Sequence, residues 1–236
     1  MSKEVYSALF KHVVDQEPDR FDLASAVLML GQIENSKIEI EEYLERLNLW
    51  TDAIRSKAKV GGDPPELFSA LRAVLFEDIG IRGDDDDYFD LRNGFLHQVM
   101  DRKLGIPLSL AVLVLVIGHR LKLRFDVLGK AGHFFIRHLD GHSPVVIDPD
   151  DRGATVEKEE LLELFGSENP NASEFGIEDR QLLRRMLTHL GLLYGRMRED
   201  QKHLEVIEHL LTMDRGDNTI LANLRDHLVQ KITQVN

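Results

Sequence analysis

Residues 104–119 read LGIPLSLAVLVLVIGH and carry no charged side chain. The stretch is too short, and too interrupted by Gly105 and Pro107, to span a bilayer, which takes about 20 apolar residues. From Leu108 to Leu121 it is apolar nearly all round, so it is expected to form a helix buried on every side, the centre of a domain. Gly105-Ile106-Pro107 separates it from a preceding helix over Phe95 to Leu104.

Working outward toward the C-terminus, the period changes after Lys122. Arg124 to Leu128, Gly132 to Leu139 and Ser143 to Asp148 are short β-branched and aromatic runs bounded by Gly129-Lys130-Ala131 and Asp140-Gly141. Three antiparallel strands behind one buried helix make an α+β core. Helical pattern returns over Leu161 to Phe165, Asp179 to Met197, Lys202 to Met213 and Asn218 to Ile232. On the amino-terminal side, apolar residues recur at helical spacing from Val5 to about Ile79, punctuated by Pro18 and by the run from Gly61 to Pro65. Pro64 and Pro65 start a helix that runs to Ile79. The loop from Gly166 to Gly176 is the expected boundary, dividing the chain into residues 1–170 and 171–236.

Composition narrows the chemistry. The 236 residues include 41 acidic and 29 basic side chains, a net charge of -12, which disfavours a nucleic-acid surface because phosphate neutralisation needs clustered cations. Acidic residues Asp84 to Asp87 lack the alternating ligands of a calcium loop and read as a solvated loop. There is no cysteine, hence no disulfide, thiolate nucleophile or thiolate metal site. No metal and no cofactor are expected. The opening Met1-Ser2-Lys3-Glu4 lacks a basic segment followed by an apolar run, so a cytoplasmic location without membrane association is expected.

The strands supply one constellation. Pairing outward from a two-residue turn at Asp140-Gly141 sets Arg137 against Pro144, Phe135 against Val146, and His133 against Asp148. Directly opposed side chains have Cβ atoms about 4.5–5.5 Å apart, so the Asp148 carboxylate could orient the His133 imidazole. On spacing alone the pair reads first as a structural contact satisfying two half-buried polar groups. A third member could come from the start of the buried helix, where free N–H groups favour a developing oxyanion. Ser109 is the only hydroxyl there, and it reads either as a nucleophile or as a helix cap. His138 and His142 flank the turn and are expected at the surface.

In order along the chain, Tyr88-Phe89-Asp90-Leu91-Arg92-Asn93-Gly94-Phe95-Leu96, Gly105-Ile106-Pro107-Leu108-Ser109-Leu110, Gly132-His133-Phe134 and Asp148-Pro149 resemble the motifs of the SirB-one family. That resemblance implies a papain- or transglutaminase-like core, mostly helical, with tetratricopeptide-like helices at the C-terminal end. It places His133 and Asp148 at the positions of catalytic His and Asp, and Pro107 at the nucleophile position. It implies a cleft that includes Asn93, Pro107, Gly132 and Asp150. Gly94, Ala131 and Asp150-Asp151 depart from the family pattern. Leu187 and Leu190 to Tyr194 are similar to the opening of a tetratricopeptide repeat. One and a half repeats cannot stand alone, so these helices are expected to pack on a core or offer a groove.

Two functions follow as expectations. One is a non-enzymatic protein- or peptide-binding module of regulatory or adaptor type. The other is a hydrolase or acyltransferase using Ser109, His133 and Asp148. The sequence leaves the oligomeric state open.

Overall fold

The computed structural model describes residues 3–58, 62–130, 132–140, 144–165 and 176–235. The expected boundary loop and the turn residues Gly141 to Ser143 fall outside them, apart from Gly176. The chain forms two compact units. One is continuous, Glu41–Glu178; the other joins Met1–Ile40 to Asp179–Asn236. A single division near residue 170 therefore does not describe the packing: the first helices go with the last ones. Helical periodicity shows that a segment has an apolar face but not which distant segment covers it.

The continuous unit is an α+β core. It contains α4 (Ile40–Lys57), α5 (Pro64–Arg72), β1 (Arg82–Gly83), α6 (Leu96–Arg102), β2 (Leu104–Gly105) and α7 (Pro107–Leu121). It continues through β3 (Phe125–Lys130), β4 (His133–His138), β5 (Val145–Asp148), β6 (Ala154–Thr155) and α8 (Lys158–Phe165). As the uninterrupted apolar run dictates, α7 is buried from Pro107 to Gly118 and again at Leu121. It ends where Lys122 turns left-handed, giving its N–H to carbonyls of the last turn. The proline-started helix is α-helical to Arg72 and widens into a π-helical turn over Ala73–Ile79, closed by Gly80 in the left-handed region. Asp63 caps its start through the Glu66 N–H.

The sheet has four strands in the order β3-β4-β5-β6, all antiparallel, and both its faces are covered. Leu128, Phe135 and Val146 pack with Leu161 and Phe165 of α8 on one face. Phe125 and Ile136 belong to the other face, where α7 lies. This double cover explains why β4 is buried from Phe134 to His138 without alternation. The two-residue pieces β1 and β2 pair in parallel, Arg82 with Leu104 and Gly83 with Gly105. No helix among the described residues is long and apolar enough to cross a membrane.

The second unit is all helical: α1 (Lys3–Val14), α2 (Leu23–Met29), α3 (Gly31–Glu34), α9 (Asp179–Met197), α10 (Asp200–Met213) and α11 (Thr219–Val235). Polar contacts, some of them buried, tie its helices together. The Tyr6 hydroxyl donates to the Met29 carbonyl at 2.8 Å, and a His209 ring nitrogen lies 3.0 Å from the Tyr6 oxygen. Tyr194 and Lys202 both reach the Glu34 carboxylate, and Arg180 reaches the carbonyls of Val14 and Gln16. Leu187, Leu190, Leu193 and Tyr194 are buried while Leu192 points outward. Thus α1 and α3 pack against α10, and α2 against α9.

Candidate functional site

The β4–β5 register differs from the one expected. Arg137 faces Val146 and Ile136 faces Ile147, a shift of two residues relative to a tight turn at Asp140-Gly141. The cause is Asp140. Its carboxylate accepts hydrogen bonds from the Arg124 backbone N–H at 2.8 Å and side-chain Nε at 2.6 Å, and the Leu139 N–H binds the Arg124 carbonyl. Asp140 therefore fastens the end of β4 to the start of β3. His138, expected at the surface, is buried at 1 % exposure and stacked on Phe68 with centroids 4.4 Å apart. Burial holds its imidazole below the usual pKa despite the nearby Asp140.

A two-residue shift preserves strand parity, so His133 and Asp148 stay on one sheet face but lie diagonally rather than directly opposed. His133 is exposed, follows Gly132 at φ 91°, and stacks on Phe135 with an interplanar angle of 11°. Among the described residues, no hydrogen bond joins it to Asp148 or to Ser109. Its interaction with Asp148 and Asp150 is through the field: burial raises both carboxyl pKa values, and the imidazole opposes part of that rise.

The carboxylates occupy the turn after β5. Asp148 accepts the Asp150 N–H at 2.9 Å and its carbonyl takes the Gly153 N–H at 2.8 Å. Burial raises the Asp148 pKa; the N–H groups of Asp150 and Asp151 and the His133 field oppose that rise. Asp150 is pushed up to about 6, first by burial and then by the charges of Asp148 and Asp85. The turn is clamped on two sides. The Gly83 N–H donates to the Asp150 carbonyl at 3.2 Å, and a Cβ on Gly83 would stand 2.5 Å from an Asp150 carboxyl oxygen. Arg72 Nε donates to the Gly153 carbonyl at 2.9 Å, and a Cβ there would stand 2.5 Å from the Phe76 ring. Gly153 also has φ 69°, so both space and backbone conformation call for glycine.

The start of α7 has a different character. Ser109 is 1 % exposed; its Oγ accepts the Ile106 N–H and lies against the Ile106 carbonyl, each at 3.1 Å. This is the cap role, which consumes the hydroxyl's donor and satisfies one helix-start N–H. Pro107 is buried beside it. The structure thus brings His133, Asp148 and Asp150 together and leaves Ser109 outside their hydrogen bonding.

Asn93 also lies inside. It is fully buried: Nδ2 donates to the Asp84 carboxylate and the Asp87 carbonyl, and Oδ1 accepts from Arg102 at 2.8 Å. The acidic run is accordingly not all solvated. Asp84 is sequestered by Asn93 and Arg102, which hold its pKa below the usual value against the opposing cost of burial, whereas Asp85 to Asp87 are exposed. Sequence reasoning missed Gly83 and Asp85 as neighbours of the carboxylates. Gly83 lies in a two-residue parallel pairing too short to show periodicity, and Asp85 lies in the bend that follows it. Among the described residues, no group of three or more His, Asp or Glu side chains is arranged to hold a metal ion.

A family model described as transglutaminase-like superfamily matches residues 41–188. The chain belongs to that superfamily. Among curated relatives, this transglutaminase-like chain is similar to a UPF0162 protein of Xylella fastidiosa, 27% identical over 204 residues, covering 83% of this chain and 73% of the relative. A UPF0162 protein of Vibrio cholerae is 28% identical over 140 residues, 58% of this chain and 52% of that one. Human F-box only protein 21 is 26% identical over 147 residues, 58% of this chain but 23% of the relative. Among solved structures, menin aligns over 98% of this chain and 66% of its own, at 12% identity and TM-score 0.45.

Proposed function

We propose that this transglutaminase-like chain, of the SirB-one kind with a tetratricopeptide-like helical tail, is a non-enzymatic cytoplasmic module that binds a protein or peptide partner. The observation that carries this reading is the start of α7. The position from which a transglutaminase-like enzyme attacks is occupied by buried Pro107 and by a serine whose hydroxyl is spent on Ile106. A serine alcohol needs an adjacent base to become nucleophilic, and Ser109 makes no hydrogen bond to His133 among the described residues. What remains outward is a rim of His133, Asp148 and Asp150 able to exchange hydrogen bonds and charge with a ligand.

The test is twofold. The purified full chain is mixed with activated ester substrates and with amine and glutamine peptides, and acyl-enzyme is sought by intact mass. No turnover above that of Ser109→Ala is expected. An acyl adduct mapping to Ser109, lost in Ser109→Ala and in His133→Ala, would overturn the proposal. Binding is read by crosslinking the full chain in extract, comparing wild type with His133→Ala and Asp150→Asn. A partner retained by wild type and lost from the rim variants is the expected result.

A further inference from the structure

Three aromatic rings close the far end of β4. Phe68 of α5, Phe125 of β3 and His138 of β4 pack mutually, with centroids 4.4 Å apart for Phe68 and His138 and 5.6 Å for each of the other two pairs. The Phe68 and imidazole planes are 16° apart, and the histidine keeps 1 % of its surface exposed. His138 Nε2 is buried and stands 3.4 Å from Asp140 Oδ2, longer than an ordinary N–H···O bond. That carboxylate is already held by Arg124, through its backbone N–H at 2.8 Å and Nε at 2.6 Å.

From this cage we infer that His138 is the pin of an acid-released latch: protonation of its ring opens the corner where α5 meets the paired ends of β3 and β4.

The neutral ring suits the cage and the charged ring does not. An uncharged imidazole stacks on Phe68 as another flat ring and carries one N–H. Acidification adds a proton from solvent, after which both ring nitrogens carry N–H groups and the ring bears a full charge. Asp140 attracts that charge and Arg124 beside it repels it. Elsewhere on the packed elements, Asp126 of β3 pairs with Arg137, Arg72 of α5 holds the Gly153 carbonyl, and Arg120 of α7 holds the Val116 carbonyl. Lys130, His133 and Asp148 lie at the opposite ends of β3, β4 and β5; Glu66 on α5 and His119 on α7 exert no charge on the ring. Burial therefore outweighs Asp140, and the ring takes a proton less readily than at the ordinary 6.5. The closed corner is stabilised above the value of a released ring and loses that stability as pH falls through the value of the caged one.

The position favours local opening. Phe125 with His138 and Val145 with His138 are the terminal pairs of their two ladders, and ladder ends open at lower free energy than interiors.

The experiment is hydrogen exchange of the full chain, read by mass spectrometry at about pH 7.5 and about pH 5.5, with each rate divided by the chemical rate at that pH. Peptides spanning α5, β3 and β4 are expected to open about fivefold more at the lower pH, while those of α7 and α9–α11 change by less than about twofold. His138→Phe keeps a flat ring that takes no proton and is expected to leave the corner equally closed at both pH values. His138→Gln, neutral throughout, gives the same comparison should the phenylalanine variant not fold. Asp150, whose raised pKa acts in the opposite sense, and the half-buried His189 and His203 are common to wild type and variants, so the difference between them isolates His138. A corner that opens with acid to the same degree in the variants would overturn the inference. So would an acid effect spread evenly over α7 and the strands, which is loss of global stability rather than release of a latch. A His138 ring that takes its proton at or above pH 6.5, followed by NMR, would overturn it as well.

Discussion

The start of α7 and the turn after β5 are separated by one residue of common neighbour, Gly83, yet they have opposite characters. Gly83 pairs with Gly105 just before α7 and donates to Asp150 in the turn. On the α7 side the serine hydroxyl is consumed within one helical turn and sealed from water. On the turn side the carboxylates keep raised pKa values and face an exposed imidazole. In a transglutaminase-like enzyme these regions would act as one machine. Here Ser109 caps one end while the other keeps polar, titratable surface, a contrast between two neighbouring parts of one fold.

The largest expected effect tests whether the α7 start is sealed. In Ser109→Cys, a thiol at that position should react with iodoacetamide at least about 100-fold more slowly than in denaturant, because reaction requires local opening. Rapid alkylation of the folded variant would show an accessible nucleophile position and dissolve the contrast. Next comes the shared neighbour. Gly83→Ala drives a methyl into the Asp150 carboxyl and should cost about 1–3 kcal/mol, measured by urea unfolding. Ser109→Ala should cost about 1 kcal/mol by removing a cap, while leaving partner retention unchanged. A loss of binding with no loss of stability would assign Ser109 to the site instead.

The smallest effect concerns pH. Asp150 has its pKa raised from 3.8 to about 6 in the folded chain, so the native state holds that proton more tightly than the unfolded state. Stability from this group is therefore present below the unfolded value and lost as pH rises through 6. Asp150→Asn removes the loss: its melting temperature relative to wild type should climb between pH 4 and 6 and then level off, by about 2 °C given partial solvent screening. A flat difference across that range would mean that burial does not perturb this carboxyl.

Much of the fold was legible because strong periodicity is local. The charge-free run announced α7, and the Asp179 to Met197 pattern matched α9 end to end. The expected sheet lacked β6 and the β1–β2 pair, each strand two residues long and without a period to detect. The register went astray because Asp140 looks like a turn residue in sequence and acts as a strand fastener through Arg124, sixteen positions away. That His133 and Asp148 share a sheet face was readable from strand parity, which survives an even shift. The cap role of Ser109 was one of two readings that only the Ile106 contacts could separate. The role of Asn93 depended on Asp84 and Arg102, charges whose pairing no spacing rule reveals.

The clamp on the carboxylate turn has a thermodynamic corollary. With Arg72 and Phe76 bearing on Gly153 and Gly83 bearing on Asp150, the loop carrying the two acids has little conformational freedom to surrender. A ligand meeting it finds the acceptors already in place and forgoes the ordering cost that a slack loop would impose. Affinity there should be set by complementarity and desolvation rather than by loop entropy, and a weak contact could still be a selective one.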